Sequence, residues 1–300
     1  MSGFSERVLL TGSLGFLGSS IAERLPHVSG VRPILTARRG QGDGVLPMNL
    51  HSSSEIHRIF REFKPHVLIH TAAFTDVDGA ESDKKRSWVE NVEAVRILIE
   101  ACSPIQTFFL HLSTDFVFDG LGNKPYGEKD PTHPINYYGY CKRKSEELLQ
   151  QQRRFSYAVL RSCHIYGKRE GSVLSPRWNI FSLSLKHLRE KTICGLVTDT
   201  KNNPVWVEDV TTLCLRVIER RLHGIIHVGG ERALSPYDFG RSLANYMGQG
   251  SEGIFYPISQ KTLNRQALRP SQTELSVLRA KDELNYQPTP LEKVFSSLLA

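Results

Sequence analysis

The chain has no apolar run approaching the roughly 18 residues that a hydrocarbon core demands, so no membrane-spanning helix is expected. Its opening stretch, MSGFSERVLLTGSLG, lacks a basic patch leading into a long apolar core. No secretory signal is therefore expected, and the cytosol is the default compartment. Cysteine is sparse: Cys102, Cys141, Cys163, Cys194 and Cys214 are scattered without the close pairs that zinc sites use. They read as reduced structural thiols, and no metal site is expected. A continuous basic stripe is missing too. The net charge of +7 is spread over short groups, KKR at 84–86, KRK at 142–144 and RR at 220–221, without interleaved aromatics. Such groups read as solvated faces, which argues against nucleic acid as a partner. The sequence also lacks internal repeats, low-complexity tracts and long linkers.

What it has, over its first half, is alternation. RVLLTG, RPILTAR, HVLIHTAA, TFFLHLST and YAVLRSCHIYG read as buried strands, and LGSSIAERL, SSEIHRIFREF and NVEAVRILIEAC as the helices between them. Strand and helix in repetition predict an α/β fold, a doubly wound parallel sheet of the Rossmann type covered on both faces. After Gly167 the pattern breaks into the loop-like GKREGSVLSPRWN, then a helix at VEDVTTLCLRVIERRL and one more apolar strand at GIIHVGG. The expectation is a dinucleotide-binding domain over 1–168, rejoined by 207–229. A smaller substrate-binding lobe would be built from 169–206 and 230–300.

Directly after the first strand, TGSLGFLGS sets Gly12, Gly15 and Gly18 at three-residue spacing before a helix. Glycines allow a sharp turn and close approach to a pyrophosphate, and the helix start supplies amide donors and partial positive charge. Position in the chain, between strand and helix, is what lifts this pattern above a structural turn. The second strand ends in TARRG, and no Asp or Glu stands between Glu23 and Asp43. An acidic residue there would bond ribose hydroxyls, whereas Arg38 and Arg39 suit a 2′-phosphate, so NADP(H) is favoured over NAD.

Two further features point to chemistry. HLSTDFVFDG ends a predicted strand with Ser113, Thr114 and Asp115, and strand C-termini of an open parallel sheet are where ligands bind. Downstream, YYGYCKRKSEELL places Tyr138 four residues before Lys142, on one helical face. A phenol with a pKa near ~10 needs tuning by its surroundings to serve as an acid at neutral pH, and a nearby ammonium can supply it. Of the histidines, His70 and His111 lie inside apolar strands and read as core residues rather than ligands. Trp88, Trp178 and Trp206 read as packing residues.

TGSLGFLGS, HTAAFTDVDGAES, NVEAV, LSTDFVFDG, PYGEKDPTHPINYYGYCK and LRSCHIYG together resemble the extended short-chain dehydrogenase/reductases. Within them they are most similar to the dTDP-4-dehydrorhamnose reductase group. The likeness runs in order from about residue 7 to 167 and continues faintly through VTDTKNNPVWVEDV and RPSQTEL. It implies that Tyr138 protonates a carbonyl oxygen as hydride arrives, that Lys142 bonds the nicotinamide ribose and tunes the phenol, and that Thr114 bonds the substrate carbonyl. It further implies that Ser13, Leu14, Phe16 and Leu17 line the pyrophosphate with the three glycines. Ala72, Ala73 and Thr75 would border the cofactor, and Asn91 would shape the site. Asp115 either orients the site or caps the strand end. Arg269 either meets a substrate diphosphate or lies on the surface.

There are departures from the family pattern. Cys141 replaces a Ser or Thr, and His164 stands where the resemblance implies a tryptophan packed on the sugar. That leaves the sugar's identity open, and His164 itself open between substrate contact and structural residue. The expected activity is NADPH-dependent reduction of a keto group on a nucleotide-activated deoxysugar, with a homodimer left open. Epimerase or dehydratase chemistry is the first alternative, although Phe116 stands where dehydratases carry a second acid. The other is a non-catalytic role like that of the regulatory beta subunit of methionine adenosyltransferase, which resembles the same group.

Overall fold

The computed structural model describes residues 6–40, 44–168 and 179–300. Residues 1–5, 41–43 and 169–178 lie outside that description, and with them Trp178 and most of the loop read at 167–179. The first half runs β1 (Glu6–Thr11), α1 (Phe16–Arg24), β2 (Val31–Ala37), β3 (Val45–Pro47), α2 (Ser53–Phe63), β4 (Val67–His70), α3 (Val77–Ser82), α4 (Lys84–Trp88), α5 (Ala94–Cys102), β5 (Phe108–Thr114), α6 (Tyr137–Gln151) and β6 (Tyr157–Ser162). The second half adds β7 (Ile165–Tyr166), α7 (Ile180–Glu190), β8 (Cys194–Val197), β9 (Val205–Trp206), α8 (Val207–Arg220), β10 (Gly224–Val228), α9 (Pro236–Tyr246), β11 (Phe255–Ile258), α10 (Leu278–Leu284) and α11 (Leu291–Leu299).

Seven strands form one sheet in the order β3-β2-β1-β4-β5-β6-β10, every pair parallel. The direction of winding reverses between β1 and β4, which opens a crevice at the carboxyl ends of those strands. Side-chain alternation explains why helices cover both faces. Val8, Leu10, Val67, Ile69, Leu110 and Leu160 pack with α1, α8 and α10, while Leu9, Leu68, Phe109 and Val159 pack with α2 and α5. A strand buried on both sides reads as an unbroken apolar run, and each such side chain contributes about 1.5–3 kcal/mol on burial. Pro33 is tolerated inside β2 because β3 pairs only with Leu35–Ala37, leaving the start of β2 at the sheet's edge.

One predicted strand is shorter than expected. YAVLRSCHIYG does not stay in the sheet: β6 ends at Ser162, and Ile165 and Tyr166 pair instead with β9 in a separate ladder. The His164 carbonyl accepts from Val205 N at 2.9 Å, so the chain bends out at the sheet's carboxyl end. The strand at GIIHVGG appears as β10 beside β6. A third apolar cluster gathers Tyr166, Phe181, Leu196, Phe239, Val294 and Phe295 from β7, α7, β8, α9 and α11. Val277, Ala280, Leu284 and Tyr286, within the stretch assigned to the smaller lobe, pack instead against the sheet.

Candidate active site

A cleft of about 650 Å³ runs along the carboxyl ends of the strands, from the glycine turn to the start of α6. Gly12 has φ +71°, and a Cβ there would come within 2.9 Å of the Ala72 backbone; a Cβ on Gly18 would stand 2.0 Å from the Gly12 carbonyl oxygen. These two glycines thus let the turn, α1 and the end of β4 close on one another. Gly15 caps α1 without a side-chain hydrogen bond, and the first turn holds no acidic residue. The Gly15 amide closes the turn by donating to the Gly12 carbonyl at 2.8 Å, and Phe16 and Leu17, which open α1, line the cleft, so a helix start borders it, as suits an anion.

Gly12, Leu14, Gly15, Phe16, Leu17, Arg38, Ala72, Ala73, Thr75, Thr114, Asp115, Tyr138, Lys142 and His164 all line this cleft. Five expected residues are not among its lining. Ser13 is turned inward, its hydroxyl donating to the Thr36 carbonyl at 3.1 Å. Gly18 serves the packing of α1. Arg38 and Arg39 are both exposed, and of the pair Arg38 borders the cleft. Asn91 acts at one remove: its Oδ1 accepts from Phe74 N at 2.9 Å and its Nδ2 donates to Phe74 O at 3.0 Å, fixing the loop after β4. It does so from a π-helical stretch, Val89–Glu93, between α4 and α5, and such bulges re-aim a side chain. Arg269 is engaged elsewhere, with its fork on Asp78 of α3 at 3.0 and 2.8 Å.

At the catalytic end, Asn136 caps α6 by accepting from Gly139 N at 2.8 Å, which sets Tyr138 in the first turn and Lys142 one turn later. Thr114 is the polar neighbour of the Tyr138 phenol across the tip of β5. Thr114 donates to Asp115 Oδ1 at 3.0 Å, and Thr273 donates to Asp115 Oδ2 at 2.5 Å, so Asp115 both lines the cleft and ties the tip of β5 to the second half of the chain. Burial raises the Asp115 carboxyl to about 6 against the pull of these donors. Burial also raises the Tyr138 phenol, helped by the Asp115 carboxylate and opposed by the Thr114 side chain. A proton is thereby held on the phenol across neutral pH.

Lys142 differs from the expectation that it sets the phenol's acidity. Its ammonium donates to the Leu112 carbonyl at 2.5 Å and lies 3.1 Å from His111 Nε2, drawn toward β5 rather than bonded to Tyr138. Burial lowers its pKa to about 8, with Glu146 one turn on opposing that fall. His164 lines the cleft and is exposed there, and desolvation, then Arg265 and Arg269, push its pKa below the ordinary histidine value.

The cleft also has walls that sequence reasoning missed. Met48, Asn49, Leu50 and His51 border it after β3, a three-residue strand too short to carry any periodicity. Glu90 borders it beneath Arg38, 3.9 Å from the guanidinium. Among the described residues no group of His, Cys, Asp or Glu could hold a metal ion, and no helix is long and apolar enough to cross a membrane.

A family model described as the RmlD substrate binding domain matches residues 6–300. A dTDP-4-dehydrorhamnose reductase of Aggregatibacter actinomycetemcomitans is 30% identical over 239 residues, which cover 78% of this chain and 76% of that protein. Methionine adenosyltransferase 2 subunit beta of Pongo abelii is 27% identical over 282 residues, covering 91% and 82%. Among solved structures, a dTDP-4-dehydrorhamnose reductase of Bacillus anthracis in complex with NADP superimposes with a TM-score of 0.83 at 24% identity, covering 98% of this chain and 99% of that one.

Proposed function

The chain belongs to the family of the RmlD substrate binding domain, and from that premise we propose that it is an NADPH-dependent reductase of a keto group on a nucleotide-activated deoxysugar. The similar dTDP-4-dehydrorhamnose reductase makes a 4-keto deoxysugar carried on dTDP the first substrate to try. The observation that carries the reading is one of convergence: Tyr138, Thr114 and Lys142 line the same cleft as the uncapped start of α1.

The amides at the start of α1, Phe16 and Leu17, would hold the pyrophosphate, with Gly12, Leu14 and Gly15 beside it, and Arg38 the 2′-phosphate. Ala72, Ala73 and Thr75 would border the nicotinamide half, and Lys142 would bond its ribose hydroxyls. When bound, the reduced nicotinamide supplies the hydride. The protein's share is the proton and the field. Tyr138, kept protonated by its surroundings, donates to the carbonyl oxygen as negative charge develops there, and the Thr114 hydroxyl turns from Asp115 to donate to that same oxygen. His164, on the bend between β6 and β7, would meet the sugar or its diphosphate as a hydrogen-bonding group.

The test is consumption of NADPH with a panel of dTDP-4-keto sugars. Turnover should fall by about 10²–10⁴-fold in Tyr138→Phe with NADPH affinity kept, since only the proton donor is lost. Tight NADPH binding without turnover on any sugar would overturn the reductase reading and favour a role like that of the beta subunit.

A further inference from the structure

Behind the reaction cleft lies a buried polar array that the proposed chemistry does not use. His70 of β4 and His111 of β5 are paired in register across two central strands, with rings stacked at 5.5 Å between centroids. Both are buried. His70 Nδ1 lies 2.7 Å from Thr11 Oγ1, so that ring is anchored to β1. His111 Nε2 faces the other way, 3.1 Å from Lys142 Nζ and 2.9 Å from Ser145 Oγ. Its Nδ1 has no partner among the described residues.

The orientation has a direct reading. Ser145 donates its hydroxyl proton to the Lys142 carbonyl at 2.7 Å, and an ammonium can only donate. The favourable arrangement at Nε2 is therefore an acceptor facing Nζ. The three N–H bonds of Lys142 then divide simply: one goes to the Leu112 carbonyl, one to His111 Nε2, and the third is left for the cleft that Lys142 lines.

We propose that His111 is the positioning residue for Lys142, a neutral imidazole acceptor that fixes the ammonium so that its remaining N–H points at the cofactor ribose. The groups around the pair fit that role. His70 and Lys142 are the charged or titratable neighbours of the His111 ring, and both, after burial, disfavour its protonation. Glu146 and Cys141 are the corresponding neighbours of Lys142, and both favour its charged form. Removing the acceptor thus takes a hydrogen bond from the ammonium and lowers its pKa further.

This inference rests on the reductase reading for the ribose contact but can be tested without any sugar. Lys142 is titrated by NMR in the full chain carrying ¹³Cε-lysine, and the NADPH dissociation constant is measured by fluorescence, for His111→Leu, His111→Asn and His111→Gln. Leu lacks an acceptor, and Asn is too short to reach Nζ. Both should move the Lys142 titration down by about one pH unit and weaken NADPH binding about tenfold, the size expected for one hydrogen bond to a charged group. Gln, whose amide oxygen reaches, should restore both. A folded Leu or Asn variant with an unmoved Lys142 titration overturns the proposal and leaves His111 a structural residue, detectable only as a changed melting temperature. If Leu fails to fold, the contrast between Asn and Gln decides. A wrong reductase reading would show instead as a wild-type chain that binds NADPH and never oxidises it, with the titration contrast intact.

Discussion

Gly139 should be sensitive to a single added methyl group although it takes no part in the reaction. It sits between Tyr138 and the rest of α6, where a Cβ would lie 2.1 Å from the Phe116 carbonyl oxygen and 2.9 Å from its carbonyl carbon. Both are backbone atoms of the turn that follows β5, so no flexible side chain can move aside. Ordinary contact begins near 3.4 Å, so Gly139→Ala must push α6 and that turn apart by about 1.3 Å. The displacement separates Tyr138, which precedes Gly139, from Thr114, two residues before Phe116. Overpacking of this kind costs about 1–3 kcal/mol of stability, which a protein of this size survives. A shift of about 1 Å in a reacting group costs on the order of 10²-fold in rate. The expected outcome is a folded variant with a lower urea midpoint, about 10²-fold slower NADPH oxidation and, because Lys142 rides on the same helix, a smaller loss of NADPH affinity. A folded Gly139→Ala protein with undiminished turnover would show that the contact between α6 and the β5 tip does not set the geometry of the proton donor, and the reasoning would fail.

Arg38→Gln should weaken NADPH at least about tenfold and leave NADH unchanged, because only the 2′-phosphate meets that guanidinium; a titration with each nucleotide decides. Asp115→Asn should alter the pH dependence of folding. The folded carboxyl, raised to about 6 from 3.8, holds its proton more tightly than the unfolded one, so its ionisation removes about 3 kcal/mol as pH rises from about 4 through 6, and urea midpoints of the Asn variant should lack that loss. Arg161→Met should lower stability by about 3–5 kcal/mol by stranding Glu146, its buried partner at 2.6 Å, and Glu146→Leu added to it should recover much of the loss in urea unfolding.

The parts of the molecule that were legible in advance are those whose physics is local. The turn at Gly12 and Gly18, the buried runs of β1, β4 and β5, and the one-turn spacing of Tyr138 and Lys142 each follow from neighbours in sequence, and the structure places them around one cleft. What was not legible depends on residues far apart in the chain. Asp78 engages Arg269 across 191 positions, and the acceptor of Thr273 is Asp115, 158 positions away; no periodicity marks either pair. Arg39 looked equivalent to Arg38, but both lie in the bend after β2, where no strand or helix period says which one borders the cleft. The end of β6 was hidden for a related reason. Apolar content continues through YAVLRSCHIYG, while the departure at Cys163 is set by Val205, which competes for the His164 carbonyl.

His70 and His111 make the same point from the opposite direction. Each, taken singly, is a histidine in an apolar strand, and the core reading follows from burial statistics. Parallel pairing of β4 with β5 puts the two in register, and the packing of α6 over that face brings Lys142 onto the second of them. An apolar residue at 111 would fill the same space, and the sheet would be as well covered. It would leave the ammonium with the Leu112 carbonyl as its one protein acceptor and with a wider choice of directions. A hydrocarbon could do the packing of His111 but could not accept from the ammonium, and that lone pair faces the cation on which the proposed ribose contact depends.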